Sequence, residues 1–137
     1  MPALDQCHHQ VVRALQKDGW VITDQPLYLS TEKRQVYIDI GAQQSGNGSR
    51  KRIAVIEVKC FLDTDKMTTD LYIAVGQYLF YRAVIADRNI NAPLYLSVPE
   101  NIYNEFFDAI ARTVMSENQI KLVIVNLETE TIAQWIE

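Results

Sequence analysis

The chain opens on a helical period. Leu4, Val11 and Leu15, with His8 in the same register, fall on one stripe, and Gly19 supplies a stop, so the pattern predicts an amphipathic helix over 3–18. The period then shortens to two. "WVITDQPLYLS" reads as extended chain interrupted at Pro26, which suits an edge strand or a bent one. "QVYIDI" at 35–40 is a short strand with Tyr37 and Asp39 on one face and Val36, Ile38 and Ile40 on the other. The next dozen residues, "GAQQSGNGSRKR", are polar and rich in Gly, Ser and Asn, the composition of a turn region. "IAVIEVKCF" at 53–61 follows, apolar on both faces except at Glu57 and Lys59, as expected of a central strand.

The second half alternates helix and strand. Residues 67–87 are helical by length, with Thr68, Thr69 or Asp70 able to cap the start, and are apolar nearly all the way round; Gly76 would permit close approach to a sheet. "APLYLSV" at 92–98 is a strand. Pro99 and Glu100 open a helix to about Glu117 with Ile102, Phe106, Ile110 and Val114 on one side. "KLVIV" and "TIAQWI" read as closing strands. The order α, β, β, β, α, β, α, β, β predicts one α/β domain over 1–137, a central mixed β-sheet flanked by α-helices.

Bulk properties narrow the function classes. At 137 residues with 48% apolar and 22% charged positions the chain can build one core, and disorder is excluded. A net charge of −4 argues against coating nucleic acid through a broad positive field, although Arg50, Lys51 and Arg52 form a local basic cluster that could contact it. Cys7 and Cys60 have no CxxC partner, so a disulfide framework is not expected, and Cys60 reads as a packing residue. No stretch is long and apolar enough to span a bilayer, and the default expectation is a cytoplasmic protein with no membrane partner.

Charge in a strand buried on both faces is costly unless it is paired. If strands 35–40 and 53–61 form a hairpin, Asp39 faces Glu57, with Lys59 one step along; the even sum of 39 and 57 keeps both carboxylates on one face even if the register slips by two. Facing carboxylates repel unless one takes a proton or a cation sits between them. Mg²⁺ or Mn²⁺, a hard ion that accepts carboxylate and carbonyl oxygen, suits that position, with Asp39, Glu57 and the Val58 backbone carbonyl as ligands. The simpler alternative is a cross-strand ion pair in a purely structural domain.

Asp39 followed by Glu57-x-Lys59 resembles the PD-(D/E)xK site of restriction-endonuclease-like proteins. The likeness is reinforced by "GQYLFY", in which Gln77 and Tyr81 share a helix face, as a Gln-xxx-Tyr pair does beside the metal in several branches of that superfamily. Over its whole length the chain resembles the XisH-type fdxN element excision controlling factors of cyanobacteria, through "DQCHHQVVRALQKDGWVITDQPL", "YIDIGA", "IAVIEVKCF", "GQYLFYRAV", "PLYLSVPE" and "QWIE". The resemblance implies a restriction-endonuclease-like fold and a role in programmed excision of a DNA element during heterocyst development. It also implies two partners, a site-specific recombinase and a companion excision factor.

Carried over residue by residue, the resemblance makes Asp39, Glu57, Lys59 and Gln77 catalytic and Tyr81, Asp5 and His8 supporting. Two departures stand out: Ile38 occupies the motif's nominal proline, and Gln43 stands where family members are expected to carry an acid. His8 lies on the apolar stripe and reads equally as a hydrogen-bonded core histidine, and Asp5 as a helix-start acid. Trp20 and Trp135 read as core. A homodimer would fit two-strand DNA chemistry. The competing class is a regulatory protein that keeps the site architecture and works by binding a recombinase, a partner factor or DNA ends.

Overall fold

The computed structural model describes residues 5–46 and 51–137. Its centre is a six-stranded mixed sheet in the order β1-β4-β5-β6-β7-β8, where β1 is Val21–Asp24, β4 Ile40–Ser45, β5 Lys51–Val58, β6 Leu94–Pro99, β7 Lys121–Asn126 and β8 Thr131–Ile136. The β5–β6 and β6–β7 pairs are parallel and the others antiparallel. A separate two-stranded ribbon joins β2 (Leu27–Ser30) to β3 (Gln35–Ile38).

Helix α1 (His8–Lys17) covers one face of the sheet. Its buried stripe, including Val11 and Leu15, packs with Ile40, Ala54, Ile56 and Val58. The other face, with Val55, Leu96 and Val98, carries α2 (Met67–Asp87), the ribbon residues Leu29 and Ile38, and α4 (Ala109–Glu117). The mixed sheet between helices, the central position of β5 and the limits of α2 match expectation.

Several local readings need correction. "QVYIDI" is two strands that part at Asp39: β3 joins the ribbon and β4 enters the main sheet. Residues 41–45, expected as turn, are the body of β4, because ladder bonds to both β1 and β5 override their weak strand propensity. Glycine suits position 41, since a Cβ would lie 2.8 Å from Asp24 Oδ2 and push that side chain aside.

Strand β5 begins at Lys51 and ends at Val58, so Lys59 to Phe61 lie past its end. Phe61 adopts φ 54°, a turn that swings its ring under Phe107. The expected helix after Pro99 is broken into α3 (Glu100–Glu105) and α4, because Asp108 caps a new start by accepting the Ala111 N–H at 2.9 Å. The break turns Ile110 outward, to 75% exposure.

No side chain caps α2; a 3-10 turn at Thr64–Lys66, itself capped by Asp63, leads into it. Gly76 faces open space and not the sheet. Cys7 and Cys60 form a disulfide, contrary to expectation. The bond fastens the start of α1 to the end of β5, a pairing of distant residues that no local spacing reveals.

Candidate active site at the end of β5

The register Ile40↔Ile56 and Gly41↔Val55 continues one step outward to set Asp39 opposite Glu57. The two residues clasp each other. The Val58 N–H donates to Asp39 Oδ2 at 2.8 Å, and the Asp39 N–H donates to Glu57 Oε1 at 3.3 Å. Asp39 can make these bonds because it sits in the bend between β3 and β4, where its N–H is free of a ladder partner.

Glu57 is 5% exposed, and its carboxyl is pushed up to about 8 by burial first, then by the Asp39 charge and a hydrogen bond between the two carboxyl groups. Lys59 Nζ, 3.8 Å from Glu57 Oε2, pulls the other way and is outweighed. Glu57 therefore favours its protonated form at neutral pH.

Tyr81 faces this pair from α2. Its hydroxyl is pushed up to about 12 by burial and by the Glu57 and Asp39 charges. Gln77, one turn earlier on the same helix face, has a buried Oε1 with no hydrogen-bond partner. Asp5 is near as well: burial first raises its carboxyl above the ordinary range, and the Asp39 charge adds to this while the Lys59 charge and the Cys60 N–H oppose it. Asp5 and Lys59 line a cavity of about 270 Å³ together with Asp63 and Asp70.

Asp70 was expected only as a helix cap. Its place on the face of Gln77 and Tyr81, seven and eleven residues on, is the signal that could have found it.

Other candidates lie elsewhere. His8 is fully buried, with Nε2 at 2.9 Å from Gln25 Oε1 and Nδ1 unpartnered, in the manner of a core histidine. Lys51 and Arg52 open β5, about 20 Å from Glu57 at strand rise. There Arg52 stacks over Trp20 at 5.4 Å. Arg50 lies outside the described residues. Gln43 is four residues along β4 from Asp39, about 13 Å away.

The donor set suits a hard cation in part. Two carboxyl groups clasped side by side offer only oxygen ligands. Among the described residues no three His, Cys, Asp or Glu side chains come close enough to hold an ion by themselves. Substrate oxygens or water would have to complete the coordination.

Comparison with known proteins fits this geometry into a family. The family model described as XisH protein matches residues 1–133. The chain belongs to the XisH family. Two solved structures resemble this XisH-family chain closely. An XisH family protein from Nostoc punctiforme PCC 73102 is 35% identical, with TM-score 0.88 over 97% of this chain and 100% of that one. An fdxN element excision controlling factor protein from Anabaena variabilis is 34% identical, with TM-score 0.86 and the same coverage. No curated protein matches the chain. Among the described residues no helix is long and apolar enough to cross a membrane.

Proposed function

We propose that the chain is an excision controlling factor that acts on DNA during programmed removal of an element. In this reading it hydrolyses phosphodiesters at the Asp39–Glu57–Lys59 site on a restriction-endonuclease-like fold. The relative from Anabaena variabilis, a controlling factor by name, supports the biological role. The observation that carries the chemistry is the clasp of the Asp39 and Glu57 carboxyl groups through backbone N–H bonds, with an ammonium group 3.8 Å from Glu57.

A Mg²⁺ or Mn²⁺ ion, when bound, supplies Lewis-acid polarisation of the phosphate. Asp39 and Glu57 would hold it, with the Val58 carbonyl as a further oxygen. The chain's own groups do the rest. The Val58 N–H fixes the Asp39 carboxylate and the Asp39 N–H fixes Glu57. Lys59, its side chain only 19% exposed, offsets charge that builds on the phosphate oxygens and orients the attacking water. Gln77 supports Lys59 by accepting from its ammonium group at Oε1, or the phosphate by donating from its amide N–H. A site-specific recombinase and a companion excision factor are the protein partners of this reading.

Incubation with single-stranded, duplex and branched DNA in Mg²⁺ or Mn²⁺ tests the chemistry. Wild type should release cleaved product, and Glu57→Gln and Lys59→Ala should not; equal product from all three removes catalysis. A binding-only role is favoured by two observations: the absence of a three-ligand cluster among the described residues, and a basic pair far from the site. Under that role, excision in cells persists with Lys59→Ala.

A further inference from the structure

Apart from Arg34 over Phe80, the outward face of α2 has no partner among the described residues. Tyr72 is 71% exposed, Ile73 47% and Phe80 56%, and Thr69, Gly76 and Ala83 on the same face are exposed too. No charged residue interrupts this stripe. A helix apolar on its solvent side is unusual for a monomer. Gly76 adds a second anomaly. It sits in mid-helix, where glycine is the poorest former after proline, yet nothing lies within 4 Å of where its Cβ would be. The fold of one chain gives it no reason to be glycine.

The stripe is symmetric about that glycine. Four residues to either side stand Tyr72 and Phe80; seven to either side stand the small residues Thr69 and Ala83. In a two-fold interface residue i meets j and j meets i, so a palindromic stripe is what a self-complementary helix pair requires. We propose that α2 is a dimerisation helix. Two copies pair antiparallel across a two-fold axis at Gly76, Gly76 faces its counterpart, and Tyr72 packs on the partner copy's Phe80.

The antiparallel arrangement sets opposite dipole ends side by side, and the missing Cβ atoms let the backbones approach. Arg34, from the β2–β3 turn, lies over Phe80 at 5.1 Å and borders the contact. Gln77 and Tyr81 occupy another side of the helix, so pairing leaves them to the site. The three large side chains expose roughly 400 Å² per copy, so the stripe alone buries about 800 Å² in the dimer, short of the roughly 1,200 Å² at which stable interfaces begin. An area this small makes the association reversible and dependent on concentration across the micromolar range. Ile73 also lines the cavity that holds Asp5 and Lys59, so the contact borders the site, although the pairing does not depend on the phosphodiester reading.

Sedimentation velocity on the full chain from about 1 to 500 µM brackets that range. Wild type should pass from monomer to dimer. Tyr72→Glu and Phe80→Lys, both at exposed positions and checked for folding by circular dichroism, should each weaken association about tenfold or more. The Y72E/F80K double variant should recover it, because the antiparallel register sets the two new charges against each other across the axis. Gly76→Cys should cross-link symmetrically faster than Glu128→Cys, an exposed control. A wild type that stays monomeric to the highest concentration overturns the proposal. So do single variants that associate like wild type, a double variant that stays dissociated, or cross-linking no faster than the control.

Discussion

The two faces of β5 share one backbone and have different tasks. On the α1 side Ala54, Ile56 and Val58 are buried among apolar side chains, and Cys60, just past the strand, is tied to Cys7. On the α2 side Val55 is core, but Glu57 and Lys59 follow it at the point where the strand ends and the cavity with Asp5 and Asp70 begins. Polar groups sit where the ladder stops, and the closed face supplies the burial that offsets holding two carboxylates together. Both faces are core along the body of the strand, and only the α2 side gives way to chemistry at its end.

The largest expected effect falls on the closed face. Ile56→Ala deletes a fully buried side chain, and urea denaturation should show a loss of about 2–5 kcal/mol. Breaking the disulfide comes next. Cys7 and Cys60 are 53 residues apart, and loop closure of that size gives a ceiling of about 4 kcal/mol. A dithiol reductant should lower the urea midpoint of wild type, and a Cys7→Ala/Cys60→Ala variant should have the lowered midpoint with or without reductant. Neither change should remove the pairing of Asp39 with Glu57.

The site face responds to pH. Folded, Glu57 keeps its proton to about 8; unfolded, it releases it near 4.5. Between those values the folded chain binds more protons, so stability present at low pH is lost as pH rises, with a slope up to about 1.4 kcal/mol per unit from this group. Urea midpoints of metal-free protein from pH 5 to about 8 should trace that decline, and Glu57→Gln should remove this contribution. The smallest effect is Glu57→Gln itself at pH 6. There the native side chain is already protonated and the amide is close in shape, so stability should change by less than about 1 kcal/mol.

The same contrast explains what could be read from the residues alone. Alternation at two-residue period identified β5 as central, and parity put Asp39 and Glu57 on one face before any register was known. The limits of α2 were legible because the apolar run is too long for a strand. What escaped depended on distant partners. Gln43, Gln44 and Ser45 are strand only because β1 and β5 hold β4 from both sides. Cys7 meets Cys60 through packing of α1 on the sheet. Asp108 looked like one more polar residue inside a continuing helix, and its capping role depends on the break that buries Phe107. Asp70 was masked by its own ordinary role at a helix start.

The central claim is that Asp39 and Glu57 form a cation site beside Lys59. Anomalous diffraction from crystals soaked in Mn²⁺ at about pH 8, where Glu57 can give up its proton, tests it most directly. The account predicts one peak between the two carboxylates in wild type and none in Glu57→Gln. A site that stays empty in wild type, or a peak that persists unchanged in the variant, would contradict it.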